Sequence, residues 1–494
     1  MELNTDATGT AQKIAFGTGF IIASRLVSKV LGLISIFLLA RYLGVDNFGN
    51  YSLVITFVSF FLFMNDLGVS AVFIRGISSE KSTQDAGVLL GDATSLKLLL
   101  SFIAIAGTIV FAFVFSYPYE IILLIAIFSA THLFGSLTTI YTGFLQARMK
   151  MFEVALLELF LYVFYLVSLL AVIFLGKGLQ ELLFLYVIST AITMFLAWFY
   201  SRKHISVKFR INLNAWKQLL NQGWPFAMTS LFIALYNRVD ILMLSKMATA
   251  ADIGKYSASF RLTEALAIIP GALSLVLFPV MSKYHKESKE VLISIHRLAF
   301  KYLAYLFVPI AFGATFLSSR IIFWIYGNEF LGTDTYASLA ILSWSALFLF
   351  MNLISMNLLN AMFLEKKTMS IILFGIFFNV ALNFLLIPKY GFVGAAFTTL
   401  LTEIALFFIF IYMIFRSVYK VQLTVFIRPL VSGVIMGVAV VNLAFLNIIP
   451  LIALGAVVYF AALFALGGFG KEDYEIFSKV TGQLKNYFSK KAEQ

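Results

Sequence analysis

Cysteine is absent from the 494 residues, which excludes thiol nucleophiles, thiolate metal sites and disulfides. Histidine is nearly so. His132, His204, His285 and His296 share no metal-ligand spacing; three fall in or near predicted inner connections, and His132 reads as a core residue. Charged residues make up only 12% against 61% hydrophobic, more apolar surface than a soluble fold of this length could hide. No strand-like alternation occurs, which excludes a β-barrel, and no nucleotide-binding P-loop occurs, which excludes direct drive by ATP. Long connections are missing as well. The largest predicted outer one, 319–333, is too short to fold a carboxylate-bearing catalytic domain. That weighs against a membrane-embedded glycan polymerase or transferase, and the chain reads as a non-enzyme.

What is present is a series of apolar runs from residue 13 to 468, each long enough to span a bilayer. They predict an all-α polytopic membrane protein with about 14 helices, at 13–39, 51–74, 86–115, 119–145, 153–175, 179–200, 221–246, 253–281, 293–318, 334–363, 369–387, 391–415, 427–446 and 449–468. These are numbered spans 1 to 14. With the N-terminus inside, 26 of the 36 Lys and Arg fall on the inner side and six outside, while Arg25, Lys29, Arg238 and Arg261 lie within spans. This positive-inside bias places both termini in the cytoplasm, explains the net charge of +12 and removes the need for a nucleic-acid partner. Trp198, Trp216 and Trp224 mark the predicted inner interface, and no cleavable signal is evident.

Two stretches repeat. A-R-Y-L-G-V-D-N-F-G-N-Y-S at 40–52 and S-K-M-A-T-A-A-D-I-G-K-Y-S at 245–257 coincide at an offset of 205 in a basic residue, Phe48/Ile253, Gly49/Gly254, Tyr51/Tyr256 and Ser52/Ser257. Leu145-Gln146-Ala147 and Leu359-Asn360-Ala361 echo each other before basic turns. A duplication in parallel orientation follows, the usual build of a transporter that rocks two halves about a central site. The predicted organisation is a six-helix lobe at 1–200, a basic cytoplasmic connection at 201–220 and a second lobe at 221–416. Two additional helices at 417–468 and a cytoplasmic tail at 469–494, charged and suited to a short amphipathic helix, complete it.

The first motif, the stretch from Gly223 to Tyr284 (G-W-P-F, Asp240, D-I-G-K-Y-S, Ile269-Pro270, L-F-P-V-M-S) and I-P-K-Y-G-F-V-G-A-A-F-T-T-L-L-T-E at 387–403 give the chain a family resemblance. It resembles the polysaccharide-transporter branch of the multidrug/oligosaccharidyl-lipid/polysaccharide exporter superfamily, along nearly its whole length. The resemblance implies a flippase that moves a lipid-linked oligosaccharide diphosphate from the inner to the outer leaflet of the cell membrane. It also implies a cavity lined by spans 1, 2, 7 and 8, a lateral slot for the lipid tail, and partners among membrane lipid and the glycan polymerase or glycosyltransferases of the same pathway. A drug or cation antiporter of the same superfamily is the alternative, disfavoured by cations that would repel cationic drugs.

A charge at the bilayer centre costs roughly 2.5–3.5 kcal/mol, so each needs a reason. Arg25 and Lys29 are four apart and share a helix face. Asp66 lies in span 2, Arg238 and Asp240 in span 7, Arg261 and Glu264 in span 8. The functional reading is that Arg25 and Lys29, with Arg238 or Arg261, hold a diphosphate, Asp66 and Glu264 belonging to the same substrate site. The structural reading pairs Arg261 with Glu264 and Asp66 with Arg25. Lipid II flippases carry an arginine on the second helix; here that region offers only Arg75, at its end. Glu158 reads as interfacial.

Asp240, Asn379, Asn383, Ala395 and Thr399 have the spacing of an oxygen cage for a small cation, and resemble the sodium site of lipid II flippases with Asn383 in place of a carboxylate. An asparagine ladder between helices would use the same residues. Glu403 either packs against an asparagine of span 10 or 11 or, like Asp66, couples protons to transport.

Overall fold

The computed structural model describes residues 3–79, 83–205, 207–470 and 473–475. Among them every regular element is helical. Among the described residues twelve helical segments are long and apolar enough to cross a membrane. Two of these, Ser24–Asp66 and Glu365–Ser417, hold two predicted spans each, which accounts for the fourteen. Both are interrupted by a glycine at positive φ, Gly44 (φ 72°) and Gly391 (φ 56°), a conformation that L side chains resist. Residues 40–50, expected as a connection, are therefore helical except at Gly44. Nearly all the predicted tail lies outside the described residues.

By internal contacts the chain divides into two compact units, Met1–Ala258 with Asn383–Phe392, and Ser259–Leu382 with Val393–Gln494.

In the first unit an apolar core gathers Phe73, Leu90, Leu96, Ile140, Phe144 and Ala197. The basic connection is strapped along the helix Thr83–Val114. Lys208 N donates to Gly87 O at 3.3 Å, Arg210 holds the buried Asp92 carboxylate through two bonds of 2.7 and 2.9 Å, and Trp216 Nε1 reaches Asp92 O at 3.2 Å. The paired bonds from Arg210 answer the buried Asp92 charge, and the other two fasten the connection to carbonyls of the helix.

The two copies of the repeated motif meet inside this unit. A Cβ on Gly49 would lie 1.9 Å from the Ala250 carbonyl oxygen, and one on Gly254 2.2 Å from that of Val45. Only glycine at both positions lets the two backbones cross so closely. The second helix of the unit is broken in mid-course. It stops at Asp66, turns through Leu67 (φ 42°) and Gly68 (φ 76°), and restarts at Val69.

In the second unit the helix Thr333–Ala361 is the most enclosed and packs along Lys289–Tyr326. The additional helices Ile427–Asn442 and Ile448–Ala465 pack on each other, the first also against Lys289–Tyr326. Gly433 and Gly437 lie where a Cβ would come within 2.4 and 2.3 Å of the Phe312 and Phe316 rings. Arg320 donates to the carbonyls of Ala444 and Leu446, in the turn between the two additional helices.

Candidate substrate and ion sites

The helix break decides the surroundings of Asp66. Ser70 N and Ser70 Oγ donate to Asp66 Oδ1 at 3.3 and 2.5 Å, so the carboxylate faces the N-terminus of the restarted helix, where partial positive charge favours it. Lys97, from Thr83–Val114, donates to the same oxygen. The Lys97 side chain is only 2% exposed, against 33% for Asp66. A buried polar network continues from this pair: Asn65 Nδ2 donates to His132 O at 2.9 Å, Ser101 Oγ to Asn65 Oδ1 at 2.9 Å, and Thr108 Oγ1 lies 3.3 Å from His132 Nε2. Asp66 is thus answered by Lys97, and the pairing of Asp66 with Arg25 considered from the sequence is not made.

Lys97 is what sequence reasoning missed. The charge count assigned it to the inner side, whereas it lies buried within its span. Its signal was a lone cation amid Leu96, Leu98, Leu99 and Leu100, deeper in the apolar run than any connection could reach.

Arg25 and Lys29 stand in the opposite situation. Both are exposed, although they sit in the apolar segment Ser24–Asp66. Arg25 Nε lies 3.5 Å from Glu158 Oε2, with the two side chains 55% and 35% exposed, a loose pair that leaves most of the guanidinium open. Glu158, expected at the interface, therefore stands beside a candidate substrate residue. Arg238 is half-buried on Leu213–Met247. In the second unit Arg261 Nη1 donates to Glu264 Oε2 at 2.8 Å, one turn along the same helix.

Asp240 lies beside Arg238 in sequence but is buried, with both oxygens engaged. Asn383 Nδ2 donates to Oδ1 at 2.6 Å and Tyr256 Oη to Oδ2 at 3.0 Å. Tyr256 is the tyrosine of the second motif copy. Its counterpart Tyr51 has its hydroxyl 3.5 Å from that of Tyr165. The duplication thus supplies equivalent scaffolds with different polar partners. Asn379, Ala395 and Thr399 belong to the second unit, where Thr399 Oγ1 donates to Ala395 O at 3.0 Å. A small cation at Asp240 would need oxygen from Asn383; in the arrangement seen here the amide presents its nitrogen, and turning it over presents Oδ1 instead. Glu403 accepts from Asn352 Nδ2 at 2.8 Å through its carboxylate and at 3.0 Å through its backbone carbonyl. Asn352 belongs to span 10, one of the two packing partners expected.

The second unit also encloses an apolar cavity of about 340 Å³, bordered by Leu306, Pro309 and Gly313 and by Met436, Leu451 and Gly455 of the additional helices.

These features define the class: a polytopic, all-helical membrane protein that keeps charged side chains inside its helical segments. The chain belongs to the polysaccharide biosynthesis protein family, whose model matches residues 14–285, more than half of its length. Among curated relatives it is 23% identical to the probable low-salt glycan biosynthesis flippase Agl15 of Haloferax volcanii, over 74% of this chain and 75% of that one. It is 34% identical to an uncharacterized membrane protein, MJ1068, of Methanocaldococcus jannaschii, but over only 25% of this chain and 24% of that one. The fold is similar to that of a solved structure of the lipid II flippase MurJ, itself in an inward closed conformation, with a TM-score of 0.74 at 15% identity, covering 90% of this chain and 97% of that structure.

Proposed function

We propose that the protein is a flippase that carries a polyprenyl-diphosphate-linked oligosaccharide, a precursor of cell-surface polysaccharide, from the inner to the outer leaflet of the cell membrane. The single observation that carries the reading is the pair Arg25 and Lys29: two exposed cations one turn apart within an apolar helix. Cations facing lipid there would be costly, so they belong on a water-filled path. Two of them, answered among the described residues by a loose Glu158 alone, match the roughly two negative charges of a diphosphate. The family match and the name of the Haloferax relative support the same substrate class.

The lobes 1–200 and 221–416 would alternate access to this path, with both termini in the cytoplasm. The apolar cavity beside the additional helices offers room for part of a lipid tail. Transport of this kind requires no catalysis, and glycosyltransferases or a polymerase of the same pathway would supply and consume the substrate.

Energy would come from the membrane potential. Moving two negative charges outward across an inside-negative membrane releases about 4.6 kcal/mol per 100 mV, from about 2.3 for each charge. A sodium ion held by Asp240 and Asn383 would reset the empty carrier. Flipping of a lipid-linked oligosaccharide diphosphate by protein reconstituted in liposomes tests the reading. It should rise with imposed inside-negative voltage, and Asp240→Asn should abolish any sodium dependence. Flipping that ignores voltage but follows a pH gradient would move coupling to Asp66 or Glu403; export of cationic drugs in place of the glycolipid would favour the antiporter.

A further inference from the structure

At the end of the second unit where the additional helices begin and end lies another cavity, of about 480 Å³, within the usual range for small-molecule sites. Its walls come from the start of Lys289–Tyr326, the connection 418–427 and the turn after Ile448–Ala465. Three cations line it, Arg297, Lys301 and Arg428, together with Phe300, Tyr305 and Tyr419.

The carboxylate nearby is already committed. Asp473 accepts from Lys301 Nζ at 2.5 Å, Tyr302 Oη at 2.7 Å and Gly470 N at 2.6 Å. The turn carrying it is fixed further by Tyr305 Oη on Gly468 O and by Arg428 Nη1 on Gly467 O, both at 2.5 Å. Arg428 spends one of its five N–H donors there. Arg297 lies over the Tyr419 ring at 5.9 Å, and Tyr419 is itself held by His296 Nδ1 at 2.8 Å. Among the described residues no carboxylate lies within ion-pair distance of Arg297 or Arg428. Two guanidinium groups therefore border an aromatic-walled cavity with no carboxylate among the described residues to answer them.

We propose that this cavity binds a phosphate group, held by Arg297 and Arg428. Planar guanidinium forks suit phosphate oxygens bidentately, and a basic pocket between helices at a membrane surface is built for an anionic headgroup. The exposed Ile427 and the half-buried Val425 offer the first carbons of a phospholipid's acyl chains an apolar rim. The same chemistry would hold a soluble phosphate compound, and the test separates the two sources. The proposal is independent of the flippase reading, because its readout is binding and not transport.

The experiment uses the full-length protein in neutral detergent, with thermal unfolding followed against phosphatidylglycerol, phosphatidylcholine and inorganic phosphate. Phosphatidylglycerol should raise the transition and phosphatidylcholine should not. Arg297→Gln, on an exposed side chain that leaves the fold intact, should weaken apparent affinity roughly tenfold or more, as expected for a lost charge-assisted bond. Arg297→Lys should keep most of it. Protection by inorganic phosphate that also depends on Arg297 would keep the site and make its source soluble. Equal protection by both phospholipids, or anion binding unchanged in Arg297→Gln and Arg428→Gln, would overturn the proposal.

Discussion

Lys97 and Arg25 are both cations within apolar helices of one compact unit, yet they are treated in opposite ways. Lys97 is enclosed, bonded to Asp66 and backed by a network through Asn65, Ser101 and His132. Arg25 is left open, 55% exposed, with Glu158 at 3.5 Å. The contrast separates charge that holds the bundle from charge that waits for a ligand. A buried pair is over-determined by its partners and costly to break from one side. An exposed intramembrane cation adds little to folding, so its retention points to something that visits it.

The sharpest way to break the comparison is on the Lys97 side. Lys97→Met leaves Asp66 uncompensated and should cost about 3–5 kcal/mol, seen as loss of protein from the membrane and a lowered unfolding midpoint. Adding Asp66→Leu removes the orphan charge and should restore much of the protein. Failure of the double variant to recover would mean that the pair is not what Lys97 is for.

A smaller loss is expected at the crossing of the two motif copies. Gly254→Ala places a methyl against the Val45 carbonyl and should cost about 1–3 kcal/mol, read from the same unfolding midpoint. A neutral result would show that the backbones can part freely there.

Smaller still is an acid effect at Asp473, outside the spans. Burial works against its charge, but the bonds from Lys301, Tyr302 and Gly470 prevail and hold its pKa below the ordinary 3.8. A carboxyl depressed in the folded state contributes stability that is fully present above 3.8 and lost as pH falls through the folded value. Asp473→Asn should therefore be less stable than the parent at neutral pH, with the gap closing toward low pH in thermal unfolding.

Much of this was legible beforehand. Hydropathy gave the spans, because lipid imposes one length on every helix. The offset of 205 marked the motif copies that meet at Gly49 and Gly254, and the four-residue spacing of Arg25 and Lys29 gave their common face. Three things were not legible. The turn at Leu67–Gly68 falls inside the predicted span 51–74, which runs on through Asn65 and Asp66, and hydropathy does not register a change of backbone dihedral. Lys97 was counted with the inner cations, because a charge tally records residue type and not which helix it faces. Which asparagine of spans 10 and 11 meets Glu403 was open from the sequence; that it is Asn352, 51 positions away, is decided by packing.

The most direct test of the central claim is flipping of a lipid-linked oligosaccharide diphosphate in proteoliposomes by the Arg25→Ala, Lys29→Ala double variant, at matched protein amount. The account predicts an unfolding midpoint within about 0.5 kcal/mol of the parent, as for exposed positions, and flipping reduced to background. Flipping at the parental rate, or a protein that no longer accumulates, would contradict the assignment of these cations to the diphosphate.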